Sequence, residues 1–404
     1  MKRLIVVVPA IANDFTHWEP LLSRLAKEPS LAGTHWMKWA HNSGRFSPVS
    51  PSVLAKRLKA AIDEQWIANG PFDEVVLVGH SLGGLLVRSA YLIACGTGDS
   101  SGRRADWADG VSRIILMAAV NRGADPKTRR DVRIAAALGS VFSPLRRLLI
   151  WQILRGSAFI TNLRIEWIRY FAAAAGRTPV VVQVIGTEDS LVTRNDSVDI
   201  EQFTDSYVID VPGATHEDLY RLDTSSEPDT RYALLRDPFV NPRPLHGQNR
   251  KFDGPKNVVI VMHGIRANNK TWVTKVKQLI QATWPGVTAI GVEHEYLSAL
   301  RFAIPITRRQ HLSWFQDVYS EALANNPQAA ISYIGHSNGT YLLGQSLRDI
   351  PGMRFEHAAL AGSVLPRDFD WKTCIARNQV KRLRVDGSNR DWPVGFLCSA
   401  LRGL

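Results

Sequence analysis

Apolar residues fall along this chain in short runs of strand formers separated by amphipathic stretches. Positions 4–8, 75–78, 113–120, 180–185 and 207–211 carry such runs, and 258–262, 331–334 and 358–361 carry more of them. Runs this short, rich in Val and Ile and lacking strict polar alternation, predict strands buried on both faces, which is the habit of parallel sheets. After Val75-Val76-Leu77-Val78 comes the turn Gly79-His80-Ser81-Leu82-Gly83-Gly84. Leu85, Leu86, Val87, Ala90, Leu92 and Ile93 then continue at helical spacing. The alternation of strand and helix predicts an α/β protein whose mostly parallel sheets carry helices on both faces.

The pattern occurs twice. Leu4-Ile5-Val6-Val7-Val8-Pro9-Ala10-Ile11 with Trp18 aligns without gaps to Val258-Val259-Ile260-Val261-Met262-His263-Gly264-Ile265 with Trp272. Gly335-His336-Ser337-Asn338-Gly339 repeats the glycine-flanked serine turn. The first strands lie 254 positions apart and the turns 256, so two copies of one α/β unit stand in tandem. The expected division is a first unit at 1–236, an extended linker at 237–256 carrying Pro238, Pro242, Pro244 and Pro255, and a shorter second unit at 257–404.

Length agrees, since 404 residues exceed one ordinary core. The net charge of +12 favours an anionic partner. No zinc knuckle or RNA-binding motif accompanies it, so nucleic acid is not expected as a partner. Cys95, Cys374 and Cys398 show no paired spacing, which points to a reducing, cytoplasmic setting without a structural zinc site. The segment from Met1 to Ala12 imitates a short leader, but it reads as a strand that the fold needs. No apolar run approaches the roughly 20 residues that span a bilayer.

The turn at Ser81 has the form of a nucleophile elbow, in which a strained strand-to-helix turn lifts the hydroxyl above the sheet and flanking glycines let strand and helix pass closely. The main-chain amides of Leu82 and Ile11 are the expected oxyanion donors. Residues 127–170 hold nine basic residues against Asp131 and Glu166 among many Leu, Ile and Trp. This mixture predicts a helical cap insertion and would also suit contact with an anionic membrane surface, the alternative being an ordinary packed insertion with Arg on its wet face. Asp189, chosen over its neighbour Glu188, ends a late strand where a triad acid belongs. His216 follows 27 residues later beyond another strand, giving the chain order Ser, Asp, His.

The second unit offers Ser337, the turn His263-Gly264-Ile265 and Asp391. Its serine and acid are 54 residues apart against 108 in the first unit, so little room is left for a cap. No histidine follows Asp391, and His357 stands before an apolar run. Without a base the hydroxyl is a poor nucleophile, and this copy is expected to be inactive alone.

These residues resemble the α/β-hydrolase superfamily. The first unit is similar to the lipase-like group that includes GPI-inositol deacylase-like proteins and bacterial serine esterases. The likeness runs through the Ser81 elbow, Asn121-Arg122-Gly123, Leu154-Arg155-Gly156-Ser157-Ala158-Phe159, Gly186-Thr187-Glu188-Asp189 and Thr215-His216. The second resembles a related bacterial and fungal hydrolase-like group through its elbow, Ala361-Gly362-Ser363-Val364-Leu365-Pro366 and Asp391-Trp392. Pro9-Ala10 stands where that superfamily carries His-Gly. The resemblance implies two tandem α/β-hydrolase-like units and a serine hydrolase of carboxylic esters, lipase- or phospholipase-like. It would act through Ser81, His216 and Asp189 by an acyl-enzyme, on an ester or lipid substrate and without metal or organic cofactor. A non-catalytic scaffold or membrane-docking protein on the same fold is the alternative.

Overall fold

Strand β1 (Arg3–Val8) is buried at every position, as its Val and Ile content requires of a strand flanked on both edges and both faces. The computed structural model describes residues 1–11, 15–97, 102–125, 147–173, 178–198, 205–246, 248–249, 256–264, 269–292 and 305–387. The chain divides into two compact units, Met1–Phe252 and Asp253–Leu404.

In the first unit, β1 lies between β2 (His35–Lys38) and β3 (Glu74–His80). The sheet then continues through β4 (Val111–Met117), β5 (Val180–Gly186), β6 (Ser206–Val211) and β7 (Gln248–Asn249). All pairings are parallel except β6 with β7. Helices cover both faces. On one, Trp18, Leu21 and Leu22 at α1 (Glu19–Leu25) and Tyr232, Leu235 and Phe239 of the helix Pro228–Val240 pack against Val76, Val78, Ile115, Met117, Val182 and Val184. On the other, α2 (Pro51–Asn69) packs on α3 (Leu82–Ala94), which in turn meets β1 and β4. Helix α2 begins where the Ser50 hydroxyl accepts the Val53 amide at 3.3 Å, with Pro51 in the first turn, where its missing N–H costs nothing.

One expectation changes on inspection. The helix Pro228–Val240, α5 below, runs four residues into the expected linker with Pro238 inside it. The Arg113 guanidinium donates to the carbonyls of Pro238, Phe239 and Asn241, and buried Asp237 accepts from the Asn241 side chain and the His246 amide and ring. These bonds hold the Pro-rich stretch to the first unit, and β7 joins its sheet. Of the expected cap, residues 127–146 lie outside the described residues. Its described part is a short turn at Leu149–Gln152 and helix α4 (Ala158–Ala173), whose Trp167 ring lies 4.7 Å from the buried Arg88 guanidinium of α3.

The second unit is a five-stranded sheet with every pairing parallel, ordered β12 (Val380–Asp386), β11 (Phe355–Ala361), β10 (Ala330–His336), β8 (Asn257–Met262), β9 (Val287–Val292). Helices α6 (Asn269–Thr283), α7 (Pro305–Asn325) and α8 (Asn338–Asp349) accompany it. Its strands correspond in order to β5, β4, β3, β1 and β2. No counterpart of β6 occurs among the described residues.

Candidate active site

The first elbow is built by close backbone approach. Ser81, between β3 and α3, has φ 54° and ψ −117°, a conformation that costs a non-glycine residue roughly 1–3 kcal/mol and persists only when its surroundings hold it. A bond of 2.9 Å from the Ser81 amide to the Met117 carbonyl supplies part of that hold. A Cβ at Gly79 would lie 2.4 Å from the Gly83 carbonyl oxygen, and one at Gly83 would lie 2.2 Å from that of Val8. Both positions therefore exclude any side chain. Leu82 is the first residue of α3, which has no side-chain cap, so its amide has no partner within the helix. Ile11 lies half-buried in the turn after β1.

Asp189 and His216 come together from neighbouring strand ends. A Cβ at Gly186 would lie 2.2 Å from the Ala214 oxygen, so the loops after β5 and β6 run in contact. Amide bonds from Thr187 to Val211 O at 3.1 Å and from Glu188 to Ala214 O at 3.0 Å tie them. Oδ1 of Asp189 accepts the amides of Leu191 and Val192 at 2.9 and 2.8 Å, while Oδ2 lies 2.9 Å from His216 Nδ1. A carboxylate only accepts, so Nδ1 carries the proton and Nε2 is left as the acceptor. Both side chains are nearly closed to solvent, 1% and 7% exposed, whereas Glu188 is exposed. The Ser81 hydroxyl and the His216 ring are not hydrogen-bonded to each other. Such bonds often close only with substrate in place.

Two further histidines border the site, and neither was singled out from the sequence. His80 is 1% exposed, its Nε2 lies 3.0 Å from the His216 carbonyl oxygen, and the two rings are 5.0 Å apart. Burial, with the nearby His216, pushes its pKa well below the ordinary histidine value. His41 is also buried. Burial lowers its pKa against the pull of the Ala10 and Pro9 main chain, which places it beside the turn that carries Ile11. Asn121, part of a quoted motif, is a hub. Its side chain accepts from Arg88 at 3.0 Å and donates to Gln183 and to the Ser197 carbonyl.

In the second unit Ser337 repeats the strain, with φ 51° and ψ −114°, and its amide reaches the Ala361 carbonyl at 3.0 Å. Gly264 passes directly over it, since a Cβ there would lie 2.6 Å from Ser337 Cβ and 3.1 Å from its Oγ. His357 sits within β11 with Nδ1 3.4 Å from the Ser332 hydroxyl. Ile265 and Asp391 lie outside the described residues. Among the described residues no group of three or more His, Cys, Asp or Glu could hold a metal ion, and no helix is long and apolar enough to cross a membrane.

No family model and no curated protein matches the chain. Solved structures similar to it include the α/β hydrolase domain-containing protein 10 from mouse, at 13% identity and a TM-score of 0.35, covering 58% of this chain and 88% of that one. Est1E from Butyrivibrio proteoclasticus is similar at 15% identity and 0.39, covering 59% and 88%. A lipase-esterase related protein from Clostridium acetobutylicum ATCC 824 is similar at 11% identity and 0.35, covering 58% and 94%. Likeness of this degree concerns the path of the chain and assigns no activity.

Proposed function

We propose that the first unit is a serine hydrolase of carboxylic esters, with lipid esters as its substrate class. The observation that carries this reading is the strained Ser81 turn beside a buried Asp189–His216 pair whose contact places the neutral ring's proton on Nδ1. Ser81 Oγ attacks the ester carbonyl as His216 Nε2 takes its proton. Asp189 holds the ring in that tautomer and stabilises the imidazolium, and the amides of Leu82 and Ile11 hold the oxyanion. The imidazolium then protonates the leaving alkoxide, and water, deprotonated by the same nitrogen, cleaves the acyl-enzyme. Nothing in these steps calls for a cofactor. The second unit keeps an elbow, but its acid candidate Asp391 lies outside the described residues, so turnover is assigned to the first unit, where acid and base are paired.

The lipid preference rests on the mixture of apolar and cationic residues across 127–170, which also suits an anionic bilayer surface. Fatty acid released from phosphatidylglycerol vesicles, compared between wild type and Ser81→Ala, tests both parts. Release that disappears in the variant supports the reading. Vesicle binding with no release by either protein supports the scaffold instead.

A further inference from the structure

An elbow needs glycines and a nucleophile, and the residue between Gly79 and Ser81 needs no particular side chain for the chemistry. Here it is a histidine that the steps above leave unused, and it is among the most buried polar residues of the unit. Its ring lies in an aromatic enclosure, with Tyr220 edge-on at 5.0 Å and Trp18 at 6.1 Å, and Trp18 stacks on Tyr220 at 4.3 Å and 11°. Trp18 and Tyr220 are themselves fully buried. The enclosure fixes the ring so that Nε2 meets the main-chain oxygen of His216 at 3.0 Å.

We infer that His80 is a positioning residue: it clamps the His216 loop to the nucleophile elbow by donating Nε2–H to the His216 carbonyl. A carbonyl oxygen cannot donate, so the proton on that bond belongs to the imidazole, and His80 is the Nε2–H tautomer. The clamp completes a circuit. The elbow holds His80, His80 holds the backbone of His216, and Asp189 holds its ring. The serine and its base, 135 positions apart in the chain, thus share one rigid frame. Among the described residues, the rings that lie against His80 are those of His216, Tyr220 and Trp18, with Asp189 beyond His216.

The inference rests on the reading of His216 as base, and two measurements separate the two claims. The first compares His80→Phe, which keeps a ring and loses the donor, with His80→Gln, whose amide nitrogen reaches the same place. With a short-chain nitrophenyl ester, H80F is expected to lose about 10²-fold in kcat, the cost of misplacing a reacting group by about an ångström, with KM within about twofold. H80Q recovers most of that loss. H80F with wild-type kcat, or H80Q as poor as H80F while equally stable to heat, overturns the clamp. The second measurement needs no activity and no variant that folds poorly. In the wild-type protein labelled with ¹⁵N-histidine, His80 is expected to show a protonated Nε2 and a bare Nδ1 from pH 5 to 9. A ring protonated at Nδ1, or one that titrates in that range, overturns the clamp even if the ester is hydrolysed. An inactive wild type with the expected tautomer overturns the hydrolase reading and leaves the clamp standing.

Discussion

Asp189→Asn is nearly isosteric, and the hydrogen bonds around Asp189 dictate what the amide must do. Oδ1 is fixed by two main-chain donors, the amides of Leu191 and Val192. An NH2 group placed there would oppose two N–H groups, so the asparagine oxygen must take that position and its NH2 must face His216 Nδ1. The imidazole then accepts at Nδ1 and carries its proton on Nε2, the nitrogen that should take the proton from Ser81. A triad held in the wrong tautomer loses about 10⁴ in kcat, or about 5.4 kcal/mol at 1.36 kcal/mol per decade. Stability should change much less. The amide oxygen keeps both main-chain bonds, and only the charge-assisted share is lost, about 1 kcal/mol. Steady-state hydrolysis of a nitrophenyl ester, with thermal unfolding of the same preparations, reads both quantities. D189N retaining a tenth or more of wild-type kcat, under conditions where Ser81→Ala is inactive, would refute the tautomer argument. A fall in kcat matched by a collapse in Tm would refute the claim that the acid acts on chemistry and not on folding.

Three further outcomes follow from the same contacts. Gly83→Ala drives a methyl group into the Val8 carbonyl, so it should cost several kcal/mol of stability and abolish hydrolysis, read by urea unfolding and ester assay. Asn121→Ala takes a partner each from Arg88, Gln183 and the Ser197 carbonyl in a closed interior, and about 3 kcal/mol should be lost in the same unfolding experiment. Burial alone would raise the pKa of Glu74, but Ser112, Arg113 and Arg3 together hold it below the ordinary carboxylate range. A depressed folded-state value contributes stability above the unfolded carboxylate value of about 4.3 and loses it as pH falls through the folded value. Glu74→Gln should therefore lower Tm at pH 7 and converge with wild type in acid. An equal gap at both pH values would contradict the assignment.

The elbow was legible because its glycines answer to backbone contacts that recur wherever strand and helix meet this closely, and Gly79 and Gly83 meet such contacts here. The pairing of Asp189 with His216 could be named from strand-end positions, since parallel strands deliver their following loops to one edge of the sheet. Glu188 and Asp189 are distinguished only by which way the loop turns, and bonds from Thr187 and Glu188 to the β6 loop settle that turn. The clamp by His80 left no trace in the sequence, because its partner is a main-chain oxygen 136 positions away. The segment after Asp237 misled for a related reason. Proline composition signals a break, yet the carbonyls around Pro238 accept from Arg113, a residue 125 positions earlier whose side chain no local pattern reveals.

Reaction with a fluorophosphonate probe, followed by mapping of the modified peptide, bears most directly on the claim that one of two similar serine turns is an activated nucleophile. The account predicts adduct on Ser81, none on Ser337, full labelling in Ser337→Ala and none in Ser81→Ala. Modification of Ser337 with Ser81 untouched, or no adduct on either serine of the folded protein, would contradict it.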